Sequence, residues 1–189
     1  VMGIENKFLL RVDVHKGGSN DEERFLQLAA DDKGSIRYEG STKIETNKWY
    51  DVAVVLDNSK SGSERIALNV NGVRETLQFS NGEPNNLKDI NLTSNFFIGQ
   101  SDGKRRLNGA ISYARIWTKA LSDQQISEQS GKLLSEDKDG MVANWLFNNG
   151  NGNTKTFVSL AGKSFEAEAA NIVSSWKTDP ILETSTPTE

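Results

Sequence analysis

The chain has 189 residues, a net charge of −4 and no cysteine, and its pI is near 5.2. That balance argues against a nucleic-acid-binding surface, and the missing thiols exclude a disulfide framework and thiolate metal sites without fixing the compartment. No run of about 18 apolar residues occurs, so no membrane-spanning helix is encoded.

The length suits one domain, read as residues 1–182, with a Thr/Pro/Glu-rich flexible tail at 183–189. No signal peptide is visible at Val1, and the chain opens almost directly into a strand pattern, which suggests a piece excised from a longer protein. Phe8, Leu10, Val12 and Val14 alternate with Lys7, Leu9, Arg11 and Asp13, predicting a half-buried strand with its even positions inward. A polar loop follows, His15 to Glu23. Arg24 to Ala30 and Ser35 to Tyr38 read as two short strands around the turn Asp31–Gly34. Trp49 to Asp57 is apolar at both parities, the pattern of a central strand covered on both faces. Ile66, Leu68 and Val70, then Asn71-Gly72, then Val73, Leu77 and Phe79 predict a hairpin with a type I′ turn, because both central residues of that turn need positive φ.

Phe96 to Ile98 and Ile111 to Trp117 read as strands on either side of a Ser/Asp/Gly/Lys/Arg loop. Between Leu107 and Trp117 the apolar parity shifts, predicting a bulge near Tyr113 or a strand covered on both faces. Ser122 with Gln125 three residues on predicts a capping box, and Leu121 with Ile126 a hydrophobic staple. Gly131 limits that helix to a short one. Met141 to Phe147 is a further strand, and Phe157–Leu160, Ser164–Ala169 and Ile172–Trp176 can supply the last ones.

The run IGQ, loop, LNGAISYARIWTKALSDQQI resembles the laminin-G-like and pentraxin-like domains of the concanavalin A-like jelly-roll group, and Asn71-Gly72 after LNV fits the same group. MVANWLFNNGNGNT resembles a run found near the start of many such domains but stands here near the end. Either the chain is circularly arranged relative to the usual form, which is the reading we prefer, or a second jelly roll begins and is cut short. MGIENKFLLRV and IVSSWKTDPILE also resemble the C-terminal modules of surface lipoproteins in glycan-foraging Gram-negative bacteria. The resemblance implies an all-β, two-sheet antiparallel jelly-roll sandwich with one short helix, on the outside of a bacterial cell. It implies a non-catalytic module whose partner is a carbohydrate, with a protein-interaction or spacer domain as the alternative.

Glycosidases of this class need two carboxylates facing one sugar, roughly 5–5.5 Å apart for retention, and the Glu-x-Asp-x-x-Glu motif of the related laminarinases is absent. Glu166 and Glu168 share a strand face, read as solvent-facing over Ala167 and Ala169; an enzyme using them as an unrecognised pair is the second alternative. A lone His15 excludes a histidine-rich zinc site. Pentraxins hold calcium through a Glu-Gln-Asp run after their GQ. Here Gly99-Gln100-Ser101-Asp102 matches only at Asp102, the candidate metal ligand, and Lys104, Arg105 and Arg106 follow at once. The loops at Asn20–Glu23 and Glu136–Gly140 are also acidic enough to invite calcium. One structural calcium is the only cofactor this reading admits. Trp49, Trp117 and Trp145 lie in strand patterns and are read as core. Trp176 is the candidate sugar platform, with Asp102 and Arg105 as candidate polar contacts to a glycan.

Overall fold

The computed structural model describes residues 2–4, 7–14, 23–30, 36–81, 95–100, 106–134, 138–147, 156–161 and 166–168. The chain divides into two compact units, Val1–Asn108 and Gly109–Glu189. As the alternating patterns predict, it is all-β with antiparallel pairing throughout its described strands, and it carries one α-helix.

The first unit contains β1 (Met2–Ile4), β2 (Phe8–Val14), β3 (Arg24–Ala30), β4 (Ile36–Lys43), β5 (Val52–Leu56), β6 (Ile66–Val70), β7 (Val73–Arg74), β8 (Gln78–Asn81) and β9 (Phe97–Ile98). They form a six-stranded sheet, β8-β4-β3-β2-β1-β9, and a three-stranded sheet, β5-β6-β7. Leu10, Leu26, Leu28, Ile36 and Tyr38 of the larger sheet meet Ile66, Leu68 and Val70 of the smaller one in a single buried cluster. Two sheets burying one face each against the other make a sandwich, the arrangement that period-two patterning demands.

In β2 Phe8, Leu10 and Val12 face this core, as expected, but Leu9 is buried too, so the far face of the sheet is covered at that point. β4 runs on to Lys43, past the end predicted at Tyr38. The reading of Trp49–Asp57 as a central strand is corrected. β5 starts only at Val52, is half-buried along its length and lies at the edge of its sheet, while β6 occupies the middle and is buried at every residue. Apolar parity misled because Trp49 and Tyr50 precede the strand instead of belonging to it.

Asn71 and Gly72 have φ of 52° and 77°, the two left-handed conformations of a type I′ turn. The hairpin is nevertheless shorter than predicted. β7 ends at Arg74, and the segment holding Phe79 leaves for the other sheet, where β8 pairs with β4. Glu75 is the crossing point. Its N–H donates to Leu68 O at 2.8 Å, while its Oε2 accepts the N–H groups of Ser41 and Thr42 at 2.7 and 2.6 Å. Beyond it Phe79 meets Tyr38 edge to face, with centroids 5.4 Å apart. Burial pushes the Tyr38 hydroxyl above its ordinary range, against an opposing pull from the Arg65 charge.

The second unit contains β10 (Tyr113–Trp117), α1 (Asp123–Gln129), β11 (Met141–Leu146), β12 (Thr156–Val158) and β13 (Glu166–Glu168), with β10 paired to β11 and β12 to β13. The irregularity expected near Tyr113 lies between Ile116 and Trp117, and Leu107 to Ser112 stand outside the strand. The capping box is present as predicted: Ser122 Oγ accepts Gln125 N–H at 3.2 Å and Gln125 Oε1 accepts Ser122 N–H at 2.9 Å. Gly131, at φ 69°, follows the helix end. Leu134, Met141 and Ala161 form a small core against which Trp117 packs, and Trp145 is buried, in keeping with the core reading of both indoles. The Ile172–Trp176 segment and the tail at 183–189 lie outside the described residues.

Candidate functional site

The six-stranded sheet carries its polar chemistry on the face opposite the core. Strand register sets Arg11 opposite Gln27, Gln27 opposite Glu39 and Glu39 opposite Gln78, so one row crosses β2, β3, β4 and β8. Residues directly opposite one another in a sheet project to the same side. Arg11, Gln27 and Glu39 each stand next to a core residue (Leu10, Leu26, Tyr38), and Gln78 stands next to Phe79, which meets Tyr38, so alternation turns the row away from the apolar cluster. Gln27 and Glu39 are each only 4% exposed, whereas Gln78 is exposed. Gln27 Oε1 accepts from Arg11 Nε at 3.0 Å and from Arg11 Nη2 at 2.5 Å, and Arg11 Nη2 also reaches Asp13 Oδ2 at 2.7 Å. The guanidinium is thereby fixed on two sides. Buried polar groups are costly unless hydrogen-bonded, so this row is an organised structure and not a solvated face.

A second feature lies between β4 and β5. The expectation that Trp49 fills the core is corrected: it is 43% exposed. Ile44 and Tyr50, at the two ends of the loop, pack against the core instead. Tyr50 Oη accepts the Glu45 N–H at 3.1 Å, and Lys48 Nζ pairs with Glu45 Oε2 at 2.5 Å. The Lys48 hydrogen bond, then its charge, holds the Glu45 carboxyl below its usual range. Asp51 N–H donates to Asn71 Oδ1 at 3.0 Å, and Asn71 N–H to Asp51 O at 2.8 Å, tying the start of β5 to the Asn71-Gly72 turn.

Asp102, Arg105 and Trp176, the residues singled out in the sequence, lie outside the described residues, as do Lys104 and His15. The base of the loop bearing Asp102 is closed by Leu107 N–H donating to Gly99 O at 2.8 Å. Of the other acidic loops, Glu23 pairs with Lys43 at 3.2 Å and Asp139 with Lys119 at 2.5 Å. Among the described residues no three of His, Asp and Glu gather to hold a metal ion. In the backbone register Glu166 stands opposite Val158 and Glu168 opposite Thr156. Sequence reading missed both the polar row and the Trp49 loop. The signal for the row was a polar residue at an odd position within each of three strands, next to an apolar one: Arg11 after Leu10, Gln27 after Leu26 and Glu39 after Tyr38.

Residues 3–127 match a laminin-G-class family model described as the concanavalin A-like lectin/glucanases superfamily. No curated protein matches the chain. Among solved structures, that of a proposed carbohydrate binding protein from Bacteroides ovatus ATCC 8483 is similar with a TM-score of 0.63 at 20% identity. The alignment covers 90% of this chain and 50% of that one, so the chain spans half the length of that protein. At this identity the likeness is one of fold.

Proposed function

The chain belongs to the concanavalin A-like lectin/glucanases superfamily, and from that premise we propose that it is a non-catalytic carbohydrate-binding module. The observation that carries the reading is the row Arg11–Gln27–Glu39–Gln78. Sugar hydroxyls are recognised by a few fixed polar groups that donate and accept in defined directions. A sheet that only had to hold two layers together would gain from apolar residues at the buried positions of Gln27 and Glu39. Here amide, carboxylate and guanidinium are held in line instead; the buried Gln27 and Glu39 back the row from within, and it opens to solvent at Gln78, the member able to meet a ligand. The fold-level likeness to a proposed carbohydrate binding protein supports the same reading.

Binding without turnover is the reading that the make-up of the row supports. Its one carboxylate, Glu39, stands between two glutamines in register, whereas glycoside hydrolysis uses a pair of carboxyl groups roughly 5–10 Å apart across the sugar. The reading sets the module outside a bacterial cell, as part of a surface lipoprotein; that part rests on the motif resemblance. No helix among the described residues is long and apolar enough to cross a membrane.

Native affinity electrophoresis through gels containing single soluble polysaccharides tests the proposal. Retardation by at least one of them, weakened in a Gln78→Ala variant, is the expected outcome. Unaltered migration in every gel would turn the assignment to a protein-interaction or spacer domain.

A further inference from the structure

We infer that the loop between β4 and β5 is a stacking platform for a neutral polysaccharide, with the Trp49 indole as its ring; the inference rests on the carbohydrate-binding reading and gives it a second contact site. A large aromatic left 43% exposed on a polar loop forgoes the burial that ordinarily repays its size. The loop does not need Trp49 for its own packing, because Ile44 and Tyr50 supply the apolar anchors at its two ends. It is also held in place. Ile44 N–H donates to Arg24 O at 2.7 Å, Tyr50 Oη takes the Glu45 N–H, and Asn71 clasps Asp51 two residues past the indole. Asn47 sits at φ 60°, turning the chain just before the ring. A ring presented on a fastened loop loses little freedom on binding, which is what makes such contacts effective.

The charges decide the class of ligand. Lys48, the cation adjoining the indole in sequence, is paired with Glu45 at 2.5 Å. The loop that carries the ring therefore holds a balanced ion pair, together with the exposed polar side chains of Thr46 and Asn47. Such a surface suits the apolar face of a pyranose ring and its rim of hydroxyls, and offers no net charge to select a uronate or a sulfate.

The test uses the full 189-residue chain in affinity gels containing laminarin, xyloglucan, galactomannan or dextran as neutral probes, and polygalacturonate or chondroitin sulfate as polyanionic ones. Trp49→Ala and Trp49→Phe are compared with the parent, and thermal unfolding by circular dichroism checks that each variant folds. Retardation of the parent by a neutral probe, weakened about tenfold or more in Trp49→Ala and largely retained in Trp49→Phe, supports the inference. Equal retardation of the parent and a folded Trp49→Ala overturns the platform while leaving carbohydrate binding intact. Retardation by polyanions alone overturns the neutral ligand, and no retardation of the parent by any probe overturns the underlying reading as well.

Discussion

The Glu75 carboxylate accepts the backbone N–H of Thr42 at 2.6 Å and, through its other oxygen, the Thr42 hydroxyl at 2.7 Å. Ser41 adds its N–H at 2.7 Å and its hydroxyl at 3.2 Å to the same group. One side chain at the end of the β6–β7 hairpin thus receives the hydrogen-bonding groups at the outer end of β4, and so joins the two sheets of the first unit outside their apolar core.

Removing that carboxylate leaves two backbone donors and two hydroxyls to find other partners. Hydrogen bonds to a charged group are worth about 1.5–3 kcal/mol in the net. We expect Glu75→Ala to lower stability by roughly 2 kcal/mol, read as a fall in the urea midpoint with an unchanged slope. Glu75→Gln should fall between the two, since the amide keeps one acceptor.

Gly40 lies directly beneath this contact. A Cβ there would stand 2.9 Å from Glu75 Oε2 and 3.0 Å from Leu68 Cδ2. Leu68 is fully buried and has nowhere to retreat. Gly40→Ala should therefore cost about 1–3 kcal/mol, the usual range for overpacking. Because the two residues share the site, the double variant with Glu75→Ala should cost less than the sum of the single ones, measurable by a double-mutant cycle of urea unfolding.

In the second unit the corresponding polar centre is Asn144, which is 0% exposed. Its Nδ2 donates to Leu134 O at 2.8 Å, its Oδ1 accepts from Arg115 Nε at 3.4 Å, and its N–H donates to Ser159 Oγ at 2.9 Å. Asn144→Ala strands the Leu134 carbonyl and opens a void. The expected loss is about 2 kcal/mol or more, accompanied by faster amide exchange at Leu160, whose N–H donates to Asn144 O.

Lys119 holds the Asp139 carboxyl below its ordinary range, first through their hydrogen bond and then through its charge. A carboxylate with a lowered folded-state pKa adds stability above its unfolded value, and that contribution is lost as pH falls through the lowered one. The pair is exposed, so its contribution is small and screened by salt. Carboxyl NMR should show the Asp139 midpoint rising to the ordinary aspartate range in Lys119→Ala, and rising partway in the parent at about 1 M salt.

What could be read in the chain beforehand depended on how local the cause was. The Ser122–Gln125 capping box spans one helical turn, and Asn71-Gly72 carries its own conformational requirement, so both are written within a few residues. Trp49 was misread because hydrophobicity alone cannot say where a strand begins; β5 starts three residues later. The crossing at Glu75 depends on a carboxylate meeting Ser41 and Thr42 more than thirty residues away. The polar row needs the register of three strand pairs at once, including the slip between β4 and β8. No single segment contains that information.

β9 ends the six-stranded sheet after two residues, with Asn95–Phe96 before it and Gly99–Gln100 after it outside any strand. So brief an edge leaves a neighbouring molecule almost no row of free amides and carbonyls on which to lay a strand of its own. Among the described residues, that border of the sheet therefore gives a strand from another copy little to pair with.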